Sequence, residues 1–139
     1  MLTSVLYISR STIDPDDAES QVGAIVAAAM PANRQNGLTG ALLFTGTHFA
    51  QLIEGREQEI DILISALQRD PRHDELQIVA RMPIADRRFK DWSMAYFGPS
   101  QFVARHVTRL LGSPSTAEQH RAADWLTDLL HEFVRHPAA

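Results

Sequence analysis

Leu38-Thr39-Gly40-Ala41-Leu42-Leu43-Phe44-Thr45-Gly46-Thr47-His48-Phe49-Ala50-Gln51-Leu52-Ile53-Glu54 is a pair of apolar runs that meet at one glycine. Runs of this length rich in Leu, Phe and Thr read as strands, Leu38–Thr45 and Thr47–Glu54, and Gly46 between them makes a hairpin. Upstream, Thr3–Ser9 reads as a strand with Val5, Tyr7 and Ser9 on one face and Ser4, Leu6 and Ile8 on the other. Asp14-Pro15-Asp16-Asp17 opens a helix, because a capping carboxylate, a proline in the first turn and acids at the positive end of the dipole coincide. Ala18, Val22, Ile25, Val26, Ala29 and Met30 recur at spacings of three and four, so this helix is expected to run to about Met30. Downstream, Glu57–Arg69 places Ile60, Leu63, Ile64 and Leu67 on one side before Asp70-Pro71 stops it. Gln77–Met82 and Trp92–Phe97 are the fourth and fifth strands.

The order βαββαββ implies an α+β, ferredoxin-like fold with a five-stranded mixed sheet and two helices on one face. Beyond Gly98 the composition changes. Val103, Val107, Leu110 and Leu111 predict a short helix closed by Gly112, and Ser115-Thr116-Ala117-Glu118 is a capping box for a longer one. Its stripe, Ala122, Leu126, Leu129, Leu130 and Phe133, is expected to cover the second sheet face unless a partner does. The chain therefore divides into a core, 1–98, and a C-terminal helical extension, 99–139.

Composition narrows the function. In 139 residues, 45% are apolar and 22% charged, which suits one folded domain rather than a disordered chain. The longest uncharged apolar stretch, Val22–Pro31, is too short to span a membrane, and no leader opens the chain, so a cytoplasmic location is expected. A net charge of −4 without a basic run argues against nucleic acid as a partner. The absence of cysteine removes disulfides, thiol catalysis and Cys-type metal sites together. The six histidines form no H-x-x-x-H pair and read as surface residues, so no metal is expected. No G-x-S-x-G, G-x-G-x-x-G or P-loop occurs, so nothing positive points to hydrolysis or to a Rossmann or Walker nucleotide site.

Some residues are unusual for a plain core. Alternation puts Gln51 on the face of Phe49 and Ile53, where an amide is costly unless hydrogen-bonded. Tyr7 lies on a strand expected to be central, so its hydroxyl needs a partner. Trp92 and Met94 share a face with Tyr96. Each taken singly has a plain reading as a core or strand-end residue. Together, under helices carrying Gly23, Ala24, Ala27 and Ala28, they point to a flat ligand with a polar edge.

These residues carry a resemblance. Tyr7 on the first strand, Asn33 ahead of Gly37-Leu38-Thr39-Gly40-Ala41-Leu42-Leu43-Phe44, then Phe49-Ala50-Gln51-Leu52-Ile53-Glu54-Gly55, Asp70-Pro71-Arg72-His73 and Phe89-Lys90-Asp91-Trp92-Ser93-Met94 are together similar to the BLUF domain. BLUF domains are blue-light sensors using FAD, and the likeness covers about Thr3–Gly98. It implies non-covalent FAD with its ring between the first two helices. It further implies that Asn33 bonds the C4 carbonyl and N3 edge, that Gln51 lies between Tyr7 and the N5/C4 edge, and that Ile25 and Leu67 sandwich the ring. Asp70 and His73 fall near the ring or ribityl chain by the same likeness, and Arg34 is a phosphate candidate on charge alone. Light would drive an electron and a proton from Tyr7 through Gln51. The amide would return rotated or tautomeric, with a new hydrogen bond to C4 carbonyl and a small red shift. Trp92 and Met94 would carry the change along the fifth strand. The chain departs from the family at Ala29 and Ala32, where Ser and another polar residue are frequent, and its Tyr7–Asn33 segment is about two residues longer.

The sequence thus predicts a single-domain photoreceptor that is not an enzyme. About 40 residues after Gly98 leave no room for an output enzyme, so signalling would go to a downstream protein partner or through a homo-oligomer. The alternatives are a small ferredoxin-like enzyme using Tyr7, Gln51 or His73, and a light-insensitive oligomerisation module.

Overall fold

A computed structural model describes residues 2–97, 105 and 116–135, with the backbone alone at 94–97, 116, 118, 119 and 135. The expected short helix around Val103–Leu111 and the direction of the Met94 side chain lie outside what is described. The elements are β1 (Leu2–Ser11), a 3-10 turn (Pro15–Asp17), α1 (Ala18–Gln35), β2 (Thr39–Phe44), β3 (His48–Arg56), α2 (Glu57–Gln68), β4 (His73–Ile84), β5 (Trp92–Phe97) and α3 (Thr116–Arg135). One five-stranded sheet runs in the order β4-β1-β3-β2-β5. Its pairs are antiparallel except β2 with β5, which is parallel. The α+β, ferredoxin-like fold with a mixed sheet is as expected.

Two local expectations shift. Asp14 caps as predicted, its carboxylate accepting the Asp16 N–H at 3.0 Å, but it closes a 3-10 turn and the α-helix begins only at Ala18. At the other end α1 does not stop near Met30. It carries Pro31 and continues to Gln35. A proline in the last turns forfeits one backbone bond, and the end is held instead by Asn36 N–H on Ala32 (3.1 Å) and Leu38 N–H on Asn33 (2.8 Å). Asn33 therefore stands on helix rather than in a loop. β4 also exceeds Gln77–Met82, because β1 continues to Ser11 and pairs Arg10 with Asp74 and Ser11 with His73. The Arg10 guanidinium bonds both Asp74 oxygens, at 2.9 and 2.7 Å.

The helices share out the two sheet faces. On one, α2 buries Ile60 and Ile64 against Val5, Tyr7 and Ile53, while α1 lays Val22, Ile25 and Ala29 over Leu42, Phe49 and Trp92. On the other, α3 drives Ala123, Leu126 and Leu130 onto Leu6, Ile8, Leu43 and Leu52. Gly40 permits the tight β2–β3 approach: its φ is +143°, and a Cβ there would overlap the Leu52 carbonyl. Among the described residues no helix is long and apolar enough to cross a membrane.

Candidate functional site: a cleft between the first two helices

The site begins as a strand register. Tyr7 pairs directly with Gln51 across β1 and β3, and Gln51 with Leu42 across β3 and β2. Paired residues point to the same face, so the phenol and the amide meet under α1 and α2. Gln51 Nε2 donates to the Tyr7 hydroxyl at 2.6 Å, and Trp92 Nε1 donates to Gln51 Oε1 at 2.8 Å. An indole nitrogen can only donate, which fixes the amide: oxygen to Trp92, nitrogen to Tyr7. All three side chains are 2–3% exposed. Burial pushes the Tyr7 phenol pKa well above its ordinary value, only partly opposed by the Gln51 bond, with the Asp70 charge adding to the rise.

Above this row lies a narrow cleft of about 60 Å³. Ile25 and Ala29 from α1 form one wall, Leu63 and Leu67 from α2 the other. Tyr7, Leu42, Phe49, Gln51 and Trp92 form the floor. Asn33 lines it too, 4% exposed. Its carboxamide makes no hydrogen bond to any described residue, and its polar atoms are not sealed off, so they open onto the cleft.

Asp70, Arg72 and His73 close one end. His73 Nε2 meets the Leu67 carbonyl at 2.5 Å and so carries a hydrogen, while Nδ1 contacts Ser9 Oγ at 2.6 Å. The ring stands edge-on to Tyr7 and Phe49, with centroids 6.3 and 6.0 Å away. Arg72 grips Asp70 through Nε (2.9 Å) and Nη2 (2.6 Å), and its own backbone N–H adds a third bond at 3.0 Å. The side-chain bond from Arg72 holds the Asp70 carboxyl below the usual carboxylate range, against a smaller opposing effect of burial.

The structure thus brings together Tyr7, Ile25, Asn33, Gln51, Leu67, Asp70, His73 and Trp92 around one space. Arg34 is not among its lining; it is exposed and paired with Asp91 at 2.8 Å. Sequence reasoning had not singled out Arg72, Leu42, Phe49 or Leu63. The signal for Arg72 was present, a cation two residues past an acid across a proline; Leu63 lies on the stripe already drawn for the second helix and Phe49 on the face already given to Gln51, while Leu42 was quoted only within its strand.

The family described as BLUF, sensors of blue-light using FAD, matches residues 2–95. This chain belongs to the BLUF family. Over 94 residues, 67% of the chain, it is 34% identical to the photoactivated adenylate cyclase subunit beta of Euglena gracilis. The chain spans only 11% of that relative's length. The dark-state structure of BlrB, a BLUF protein, superposes with a TM-score of 0.66 at 31% identity, covering 96% of this chain and 94% of that one. BlrP1 of Klebsiella pneumoniae with FMN and cyclic diGMP gives 0.61 at 31% identity, covering 78% of this chain and 30% of its own. BLUF domains are flavin-binding sensors of blue light and are not themselves catalytic, although some relatives join them to cyclases.

The BLUF cleft here has a chemistry that fits a flavin edge. Its walls are apolar, as a tricyclic ring requires. Asn33 offers an unspent donor and acceptor, and Gln51 Nε2 has a second hydrogen without an acceptor among the described residues. Ala29 on the α1 wall supplies no hydroxyl at that point.

Proposed function

We propose that this chain senses blue light through FAD seated between α1 and α2, with Tyr7 and Gln51 as the photoactive pair and Asn33 holding the polar edge of the ring. The supporting observation is the buried run Trp92–Gln51–Tyr7 beneath a cleft into which the unbonded Asn33 amide also opens. When bound, the flavin supplies absorption of blue light and a one-electron acceptor. Tyr7 is kept protonated by burial, so it holds both an electron and a proton to give. Gln51 can accept and donate at once, which lets it relay the proton and return rotated or tautomeric. Ile25 and Leu67 exclude water from the two ring faces, while Asp70 and His73 position the end of the cleft near the α2–β4 junction. FAD rather than FMN follows the family's description, and extraction of the bound flavin followed by chromatography tests it.

Residues 1–98 are on this reading the flavin-binding unit and 99–139 the extension that transmits its state. α3 packs on β2, β4 and β5, so a shift of β5 has a direct neighbour to act on. Output goes to a protein partner or a second copy of the chain. The deciding experiment is the absorption spectrum of the flavin-loaded protein before and after blue light. A small, reversible red shift is expected. A colourless protein after flavin supplementation, or a yellow one that never shifts, overturns the proposal in favour of a ferredoxin-like enzyme or a light-insensitive oligomerisation module.

A further inference from the structure

β3 presents Gln51 to the cleft and, three residues on, Glu54 to the opposite face. Glu54 is 1% exposed. Its Oε2 accepts the backbone N–H of Arg88 at 2.7 Å, and its Oε1 accepts the N–H of Phe89 at 3.1 Å and the Thr39 hydroxyl at 2.9 Å. A buried carboxylate spending both oxygens on backbone donors of a distant loop is a fastener. That loop ends at Trp92. Its last residue is tied as well, since the Asp91 carbonyl accepts the Gly40 N–H at 3.0 Å and the Asp91 carboxylate accepts the Trp92 N–H at 3.0 Å. The same loop touches α3: Arg88 bonds Asp128 at 2.8 Å, and the Phe89 ring stands edge-on to His131 with centroids 5.5 Å apart.

We infer that Glu54 is a positioning residue of the photocycle: it clasps the β4–β5 loop so that Trp92 is returned to Gln51 in the dark, and it joins that event to α3. The inference rests on the proposed reorientation of Gln51. When the amide oxygen turns away, the indole loses its acceptor, and the start of β5 is retained near its dark position only by its anchors. Glu54 is the anchor shared by the light-sensitive strand and the loop. Loosening it replaces no residue of the cleft lining and slows the return of Trp92.

The test uses flavin-loaded protein. Glu54→Gln keeps the shape of the side chain but puts an NH2 group where one acceptor stood, so Arg88 or Phe89 loses its partner. The expected result is an unchanged light-induced shift with dark recovery slowed about fivefold, the equivalent of one hydrogen bond at ~1 kcal/mol. Faster hydrogen exchange at the Arg88 and Phe89 amides should accompany it. Thr39→Val removes only the hydroxyl and should act in the same direction to a smaller degree, which serves if Glu54→Gln fails to fold. A purely structural role would lower the thermal midpoint and leave recovery at the parental rate. Parental or faster recovery in a folded, shifting variant overturns the inference alone. A parent that never shifts overturns the photoreceptor reading, and this inference with it.

Discussion

The indole of Trp92 has a hydrogen to give and no lone pair to receive with, and that asymmetry makes the Gln51 amide readable. If Gln51 rotates, its NH2 faces the indole N–H, donor against donor, and the buried indole is left unsatisfied at about 1–3 kcal/mol. If the amide instead tautomerises in place, its oxygen stays with Trp92 and the bond survives. Rotation predicts that the indole N–H vibration moves to the frequency of a weaker hydrogen bond under blue light. An unmoved band would keep the oxygen where the dark structure has it. Tyr7→Phe separates binding from photochemistry: flavin is retained, the red shift is lost, and stability falls by about 1–2 kcal/mol because Gln51 Nε2 loses its acceptor. Absorption and denaturant melts read both effects. Tyr7 and Gln51 were legible in the sequence because strand alternation places them in apolar company. The inward turn of Trp92 was not, since Trp92 and Met94 share a face and periodicity cannot choose between them. The partners of Glu54 were equally hidden, being backbone groups 34 and 35 residues away.

Among the elements, α1 and β4 outran their sequence signals, and both for reasons of tertiary context. Pro31 reads as a stop in isolation, yet late in a helix it forfeits one bond while Asn36 and Leu38 close the end. β4 gains its first residues because the Arg10–Asp74 pair extends β1 alongside it, a contact 64 residues apart. Two predictions belong here. Gly40→Ala forces a side chain onto the Leu52 carbonyl at a positive φ, and it should destabilise the β2–β3 pairing by more than about 3 kcal/mol or prevent folding, as judged by denaturant melts. At the α2–β4 junction, Asp70 has its folded pKa depressed by Arg72, so its stabilising contribution is present above its unfolded pKa and is lost as pH falls through the folded one. Arg72→Gln should therefore be less stable than the parent at neutral pH. The gap between them should begin to close below about pH 5 as the carboxylate protonates in both. Thermal midpoints of the two proteins across that range check the direction.

In the whole molecule, the sheet is a wall between the cleft on one face and the core under α3 on the other, and α3 is structural to the second. Leu126 and Leu130 are fully buried and share a core with Leu6, Ile8, Leu43, Ala50 and Leu52, which belong to the three central strands. Without α3 those strands would present a bare apolar face, so the helix folds with the sheet rather than resting on it. That face was anticipated from the stripe Ala122, Leu126, Leu129, Leu130 and Phe133, since a two-faced sheet needs a second cover. Leu130→Ala tests the consequence. Leaving a cavity there should destabilise by about 2–5 kcal/mol and lower the thermal midpoint on the order of 10 °C. If sheet and α3 form one cooperative unit, loss of helical signal and release of flavin should still coincide in a single transition. The light-induced shift should persist below that transition, because the described core around Leu130 shares no residue with the cleft lining. Helix loss that precedes flavin release by several degrees would instead make α3 a detachable appendage, and transmission through its packing on β5 would lose its physical basis.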